Sequence, residues 1–188
     1  MRDVLFVQGA GERVHDEWDN HLVDSLRSEL GAGYHVRVPR MPAEAEPSIT
    51  SWGPALEAEI ATLGPAAVAV GHSVGAGALL HVLAHAARTA DLIAVVLIAA
   101  PYIGPGGWPS DDIESTAGLV ARLPAGLPVL LYHGDADALV PVEHAALYAQ
   151  VLPRVRVHRL PGRDHQLNNS LAEVAHDIKS LVRVDRRA

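Results

Sequence analysis

The chain of 188 residues contains no cysteine. That absence excludes disulfides, thiolate nucleophiles and cysteine-bound zinc together. Lysine occurs once, at Lys179, while arginine is frequent; this bias points to a GC-rich bacterial genome. Aromatic residues make up only 4%, so the core must rest on Val, Leu, Ile and Ala. Surplus positive charge is missing too. The formal net charge is −7, so the chain gains nothing from counterion release on a phosphate backbone, and nucleic acid is not expected as a partner. Arg154, Arg156 and Arg159 cluster, but their spacing suits a solvated strand edge. Arg183, Arg186 and Arg187 read as a solvated tail. No run approaches the roughly 20 apolar residues of a membrane helix, and Val4–Val7 is too short for a signal-peptide core. The expectation is a cytoplasmic protein without a membrane partner.

What is present is an apolar, patterned chain. Hydrophobic residues form 49% and charged residues 20%, a balance that fits a compact globular protein. No repeat, linker or low-complexity stretch divides it, so residues 1–188 are expected to form a single domain. Six short apolar runs read as strands buried on both faces: Val4–Val7, His35–Val38, Ala67–Val70, Leu92–Ile98, Val129–Tyr132 and Val155–Leu160. Between them lie helical stripes. Trp18, Leu22, Leu26 and Leu30 form one, and Trp52, Leu56, Ile60 and Leu63 another. Val74, Ala78, Leu79, Val82 and Ala86 form a third. Val142, Ala146 and Val151 follow Pro141, and Leu171, Val174, Ile178 and Leu181 follow a cap at Ser170 or Asn169. Strand and helix alternate throughout, which predicts an α/β fold: a doubly wound parallel sheet of about six strands with helices on both faces. Ligands in such sheets bind beyond the carboxyl ends of the strands.

The most informative stretch is Gly71-His72-Ser73-Val74-Gly75. It lies between a Val-rich strand and an amphipathic helix, the context that gives G-x-S-x-G its meaning. A turn this tight needs residues without Cβ on either side of the serine. It lifts the Ser73 hydroxyl above the sheet and aims helix N-terminal amides at developing negative charge.

A serine hydroxyl needs a base to take its proton. The pattern expects an acid and then a histidine later in the chain. His165 follows the last strand-like run, in Gly162-Arg163-Asp164-His165, and is the candidate base. Most of the other histidines fall in helical or strand patterns. The acid comes from His133-Gly134-Asp135-Ala136-Asp137. Asp137 is favoured, with Asp135 as the alternative or as a turn-capping residue. The two oxyanion donors are expected to be the amides of Val74 and of Ala10, in the loop Gln8-Gly9-Ala10-Gly11.

These motifs, with Val140-Pro141 and Asp164-His165, resemble the α/β-hydrolase superfamily over essentially the whole chain. Within it the sequence is similar to the small serine hydrolases related to retinoblastoma-binding protein 9 and their bacterial relatives. Besides the elbow, the resemblance rests on the short length, the Gln8–Gly11 loop followed by Trp18, and Met41-Pro42 before Trp52. It implies a three-layer α/β/α sandwich lacking the first two strands of the full fold. It also implies a Ser73–Asp137–His165 triad and hydrolysis of small esters, amides or peptides. Gln8 departs from the His-Gly pair of many members. No large insertion follows Ile98, so no lid domain and no specificity for bulky lipids are implied.

Gly9 and His72 beside the nucleophile, and Tyr102 and Trp108 on the Gly/Pro-rich loop after Ala100, are the candidate pocket residues. On that loop, Trp108 could instead pack on the surface, and Asp111 and Asp112 could cap the next helix. His81 and His85 have the i, i+4 spacing of metal ligands but no H-E-x-x-H glutamate and no evident third ligand. His144 and His176 read as solvated helix faces. Gly71–Gly77 lacks the features of a nucleotide loop. The chain is therefore expected to use no metal and no cofactor, with a small acyl compound as its partner. Fold does not fix function, so a binding protein on a hydrolase scaffold, or an acyltransferase, stands as the alternative.

Overall fold

The computed structural model describes residues 1–86, 91–152 and 154–185. Arg186 and Arg187 of the basic tail lie outside the described residues. Six strands are present: β1 (Arg2–Val7), β2 (Tyr34–Arg37), β3 (Ala67–His72), β4 (Leu92–Ile98), β5 (Val129–Gly134) and β6 (Arg156–Leu160). All pair in parallel, in the order β2-β1-β3-β4-β5-β6. The chain starts in the sheet interior, steps outward to β2, then returns to the other side of β1. The order therefore reverses between β1 and β3, and the crevice above that point is where such sheets bind ligands. β3 and β5 run two residues further than their apolar runs, through Gly71-His72 and His133-Gly134. These extensions carry candidate site residues to the sheet edge.

The helices are α1 (Asp19–Leu30), α2 (Ile49–Ala61), α3 (Val74–His85), α4 (Thr116–Val120), α5 (Glu143–Val151) and α6 (Ala172–Asp185). A π-helical turn, Val14–Trp18, leads into α1. Successive strand residues face opposite sides, so each central strand serves two cores. Val4, Phe6, Val68, Val70, Val96 and Ile98 pack with Leu22 and Leu26 of α1 and Val174 and Ile178 of α6. Leu5, Val7, Ala69, Val95 and Leu97 pack on the other face with Trp52 and Leu56 of α2, Leu79 and Leu83 of α3, and Tyr148 of α5. The result is a three-layer α/β/α sandwich. No helix among the described residues is long and apolar enough to cross a membrane.

Three details of the helical stripes differ from expectation. Trp18 stands at the N-cap of α1 and is 57% exposed; the buried stripe begins with Asp19 and continues through Leu22, Val23, Leu26 and Leu30. The buried face of α5 is His144, Ala145 and Tyr148, not Val142 and Ala146. His144 is buried because its ring accepts the Tyr102 amide proton at Nδ1, 2.8 Å away. An imidazole with a main-chain partner can be enclosed where an unpaired one could not. At α6 the Leu171 carbonyl accepts the Ala175 amide, so Leu171, not Ser170 or Asn169, is the cap. By contrast, His176 is exposed, and Arg154, Arg156 and Arg159 are exposed on or beside the edge strand β6.

This packing gives a direct contrast. Leu26→Ala should lower stability by about 2–5 kcal/mol, the cost of a core cavity. Trp18→Ala should stay within about 0.5 kcal/mol of the parent. Urea unfolding of both variants checks the assignment of the α1 face.

Candidate active site

β3 hands the chain to α3 within a single residue. Ser73 takes φ 52°, ψ −125°, a conformation that L-residues rarely adopt, and its amide is held by the Ile98 carbonyl at 2.8 Å. The flanking glycines are required sterically. A Cβ on Gly71 would lie 2.6 Å from Ala76 Cα, and one on Gly75 only 2.1 Å from the Gln8 carbonyl oxygen. The Val74 amide opens α3, where the first-turn N–H groups have no intrahelical acceptor.

The loop after β5 supplies two aspartates with different partners. Asp135 Oδ1 accepts the Gly162 amide at 2.6 Å, tying the β5 and β6 loops together. Asp137 has a fully enclosed side chain. Its Oδ1 accepts the Leu139 and Val140 amides at 2.8 and 2.9 Å. Its Oδ2 lies 2.8 Å from His165 Nδ1 and 3.4 Å from His133 Nε2. His133 is also enclosed and donates from Nε2 to the Val140 carbonyl at 2.8 Å. A carboxylate at His165 Nδ1 places the proton there and leaves Nε2 with its lone pair. Ser73 and His165 line one cavity. No hydrogen bond joins them, a contact that commonly tightens only with substrate in place.

The loop after β1 is fastened from several sides. The Gly9 amide donates to Asp19 Oδ2 at 2.7 Å, and the Gly11 amide to the Glu44 carbonyl at 2.8 Å. Between them, the Ala10 amide has no protein acceptor among the described residues. Gln8 is buried. It accepts the Met41 amide at 3.1 Å and donates to Glu44 Oε2 at 2.8 Å. The side chain thus braces the loop through the 41–44 segment.

The cavity measures about 530 Å³. Its lining includes Ala10, Val14, Trp18, Ser73, Trp108, Leu139 and His165, together with Gly9 and His72. Of the four residues expected to form the pocket, Tyr102 is not a wall. It is 5% exposed and packs edge-on against Tyr148 at 5.5 Å, inside the core. Trp108 meets the His144 ring edge-on at 5.3 Å and keeps one side on the cavity. Asp112 caps a helix, but it is α2 rather than the next one, accepting the Ile49 amide at 2.7 Å.

Trp18, Val14 and Leu139 were not anticipated as walls. The isolated, exposed apolar character of Trp18 and Leu139 becomes informative only once both stand over one crevice. Buried Asp19 gave no signal in the sequence. His81 and His85 do acquire a third neighbour: Glu114 Oε1 lies 2.8 Å from His85 Nε2. The other Glu114 oxygen is paired with Arg122 at 2.7 Å, so a cation already serves that carboxylate.

Burial raises the cost of ionising Asp137, but hydrogen bonds from His133 and His165 and the Val140 amide outweigh it and hold its carboxyl well below the usual range. Asp19 follows the same logic. Burial opposes its charge, while His72, the Gly9 amide and Gln166 favour it, and the balance lowers its pKa. For His72, burial disfavours the proton, yet the Asp19 carboxylate prevails and raises the imidazole above its ordinary value.

Residues 4–170 match the protein family described as serine hydrolase. No curated protein matches the sequence. Among solved structures, the ydeN gene product of B. subtilis superposes with a TM-score of 0.75 at 19% identity, covering 97% of this chain and 99% of that one. An esterase domain from a Rhodothermus marinus protein gives 0.66 at 21%, covering 97% and 86%. Est1E from Butyrivibrio proteoclasticus gives 0.72 at 15%, covering 100% and 89%. At these identities the likeness is one of fold, the α/β-hydrolase fold.

Two measurements test this geometry. Gly75→Ala should lose at least ~2 kcal/mol of stability, because backbone must move to admit the Cβ; thermal unfolding reads the loss. The stabilisation from Asp137 and Asp19 is complete above about pH 4 and fades as pH falls through their lowered pKa values. That from His72 is complete below about pH 6.5 and fades as pH rises through its raised value. Urea unfolding across pH should therefore show an acid limb that flattens in Asp137→Asn.

Proposed function

The chain belongs to the serine hydrolase family, and from that premise we propose that it is a carboxylesterase that cleaves small neutral esters through an acyl-enzyme on Ser73. The observation that carries the reading is the 2.8 Å contact of His165 Nδ1 with Asp137, in a base whose ring borders the same cavity as Ser73. Asp137 holds the imidazole in the Nδ1–H tautomer, so Nε2 takes the Ser73 proton as Oγ attacks the ester carbonyl. The carbonyl π electrons move onto oxygen, and the Ala10 and Val74 amides receive the resulting oxyanion. Collapse expels the alkoxide, which leaves with the proton from Nε2. Water, deprotonated by the same nitrogen, then attacks the acyl-enzyme. The acid is released and the Ser73 hydroxyl restored.

The cavity supports neutral substrates. Its volume of about 530 Å³ suits a small organic molecule; among the described residues no lysine or arginine lines it, and Asp164 disfavours an anionic substrate. Trp18, Trp108 and Leu139 offer apolar surface to an acyl or aryl group. In this reading residues 1–188 act as a single α/β-hydrolase domain without cofactor.

A fluorophosphonate probe should label the protein at Ser73 by peptide mass spectrometry, and Ser73→Ala should abolish labelling. Persistent labelling in that variant would overturn the assignment. With p-nitrophenyl butyrate, Asp137→Asn should lower kcat about 10⁴-fold, the effect of a lost tautomer lock. Asp135→Asn should keep kcat within about threefold, since Asp135 holds the Gly162 amide and not the base. The products should be free butyrate even with added alcohol; butyryl transfer to the alcohol as the main product would favour an acyltransferase.

A further inference from the structure

Beside the nucleophile lies a second imidazole–carboxylate pair that the acyl-transfer steps do not use. His72 is 1% exposed and Asp19 is fully buried. His72 Nδ1 stands 3.0 Å from Asp19 Oδ2, and its Nε2 stands 3.1 Å from the main-chain carbonyl of His165. A carbonyl oxygen only accepts. Asp19 receives the Gly9 amide at 2.7 Å on Oδ2 and Gln166 Nε2 at 3.3 Å on Oδ1; donors on both oxygens favour the carboxylate, which only accepts. A neutral imidazole has one N–H and satisfies one acceptor; the imidazolium has two and satisfies both. The direction of the pKa shifts at His72 and Asp19 agrees with that charge state. The other ionisable groups facing His72 are His165, whose ring centroid is 4.9 Å away, and the more distant Asp137 carboxylate.

The position of this pair is specific. Asp19 opens α1 and fixes the Gly9 amide, next to the Ala10 donor. His72 is the residue before Ser73. The His165 carbonyl belongs to the main chain of the base. Space around the pair is tight: a Cβ on Gly9 would lie 3.2 Å from His72 Nδ1. We propose that Asp19 and His72 form a charged positioning pair that sets the oxyanion loop, Ser73 and His165 in register, and so supports kcat rather than substrate affinity. The proposal rests on the roles given to Ser73, His165 and Ala10 above. Neither residue touches the reacting atoms.

Two measurements test it. In protein labelled with ¹⁵N-histidine, the His72 ring, assigned by its disappearance in His72→Gln, should show two protonated nitrogens at pH 7.5, where an ordinary imidazole is neutral. A neutral tautomer at that pH overturns the charged pair. In the second measurement, Asp19→Asn and His72→Gln are compared with the parent on p-nitrophenyl butyrate, with rates normalised to sites titrated by fluorophosphonate. Each should lower kcat about 10–100-fold, the scale of a misplacement near 1 Å, with KM within about threefold. Parental kcat per titrated site in both variants overturns the positioning role and leaves a pair that only stabilises the fold. Normalisation separates that outcome from partial unfolding, and His72→Gln serves if Asp19→Asn does not fold. A parent enzyme that labels at no serine counts against the esterase reading instead, and the ring spectrum still decides the charge of the pair.

Discussion

A parallel strand that must pass directly into a helix has one residue in which to reverse its direction, and in this protein that residue is Ser73. Its positive φ is unfavourable, so the surroundings have to hold it. They do so through the Ile98 carbonyl on the serine amide and through the absence of side chains at Gly71 and Gly75, where a Cβ would strike backbone. Much else follows from that approach. Because α3 comes so close, Gln8 and Gly9 of the β1 loop lie against Gly75 and the His72 ring. The loop that carries Ala10 is thereby brought to the cavity that Ser73 lines.

Around this turn the charges are arranged as two imidazole–carboxylate pairs that share one neighbourhood but differ in exposure. His165 keeps 13% of its side chain exposed and lines the cavity. His72 is almost wholly enclosed, with acceptors at both nitrogens that favour a retained proton. In the proposed roles the same two residue types thus serve opposite ends, proton transfer at the cavity wall and fixed charge beneath it. The difference comes from burial and partner count, not from chemistry intrinsic to histidine.

Much of the architecture was legible in the chain because it depends on short-range patterns. Six apolar runs became six strands, and the elbow motif located the sheet edge. The structure departs from these patterns where a local period cannot report tertiary partners. Trp18 continues the α1 stripe by spacing, yet it sits at the cap and turns to the crevice. His144 looks solvated by composition, yet the Tyr102 amide makes its burial affordable. Tyr102 sits on the expected pocket loop, yet packs with Tyr148 in the core.

The sequence by itself determined the alternation of strands and helices, the tight turn at Ser73, and the chain order of serine, acid and histidine. Each is encoded by residues within a few positions of one another. The tertiary structure alone decided that Asp137 rather than Asp135 reaches His165, since both aspartates share one loop and only the packing of β5 beside β6 separates them. It also decided that Asp19, which carries no motif, closes a buried pair with His72 across a separation of 53 residues. Such a contact depends on how α1 seats against the sheet, and no local pattern records it.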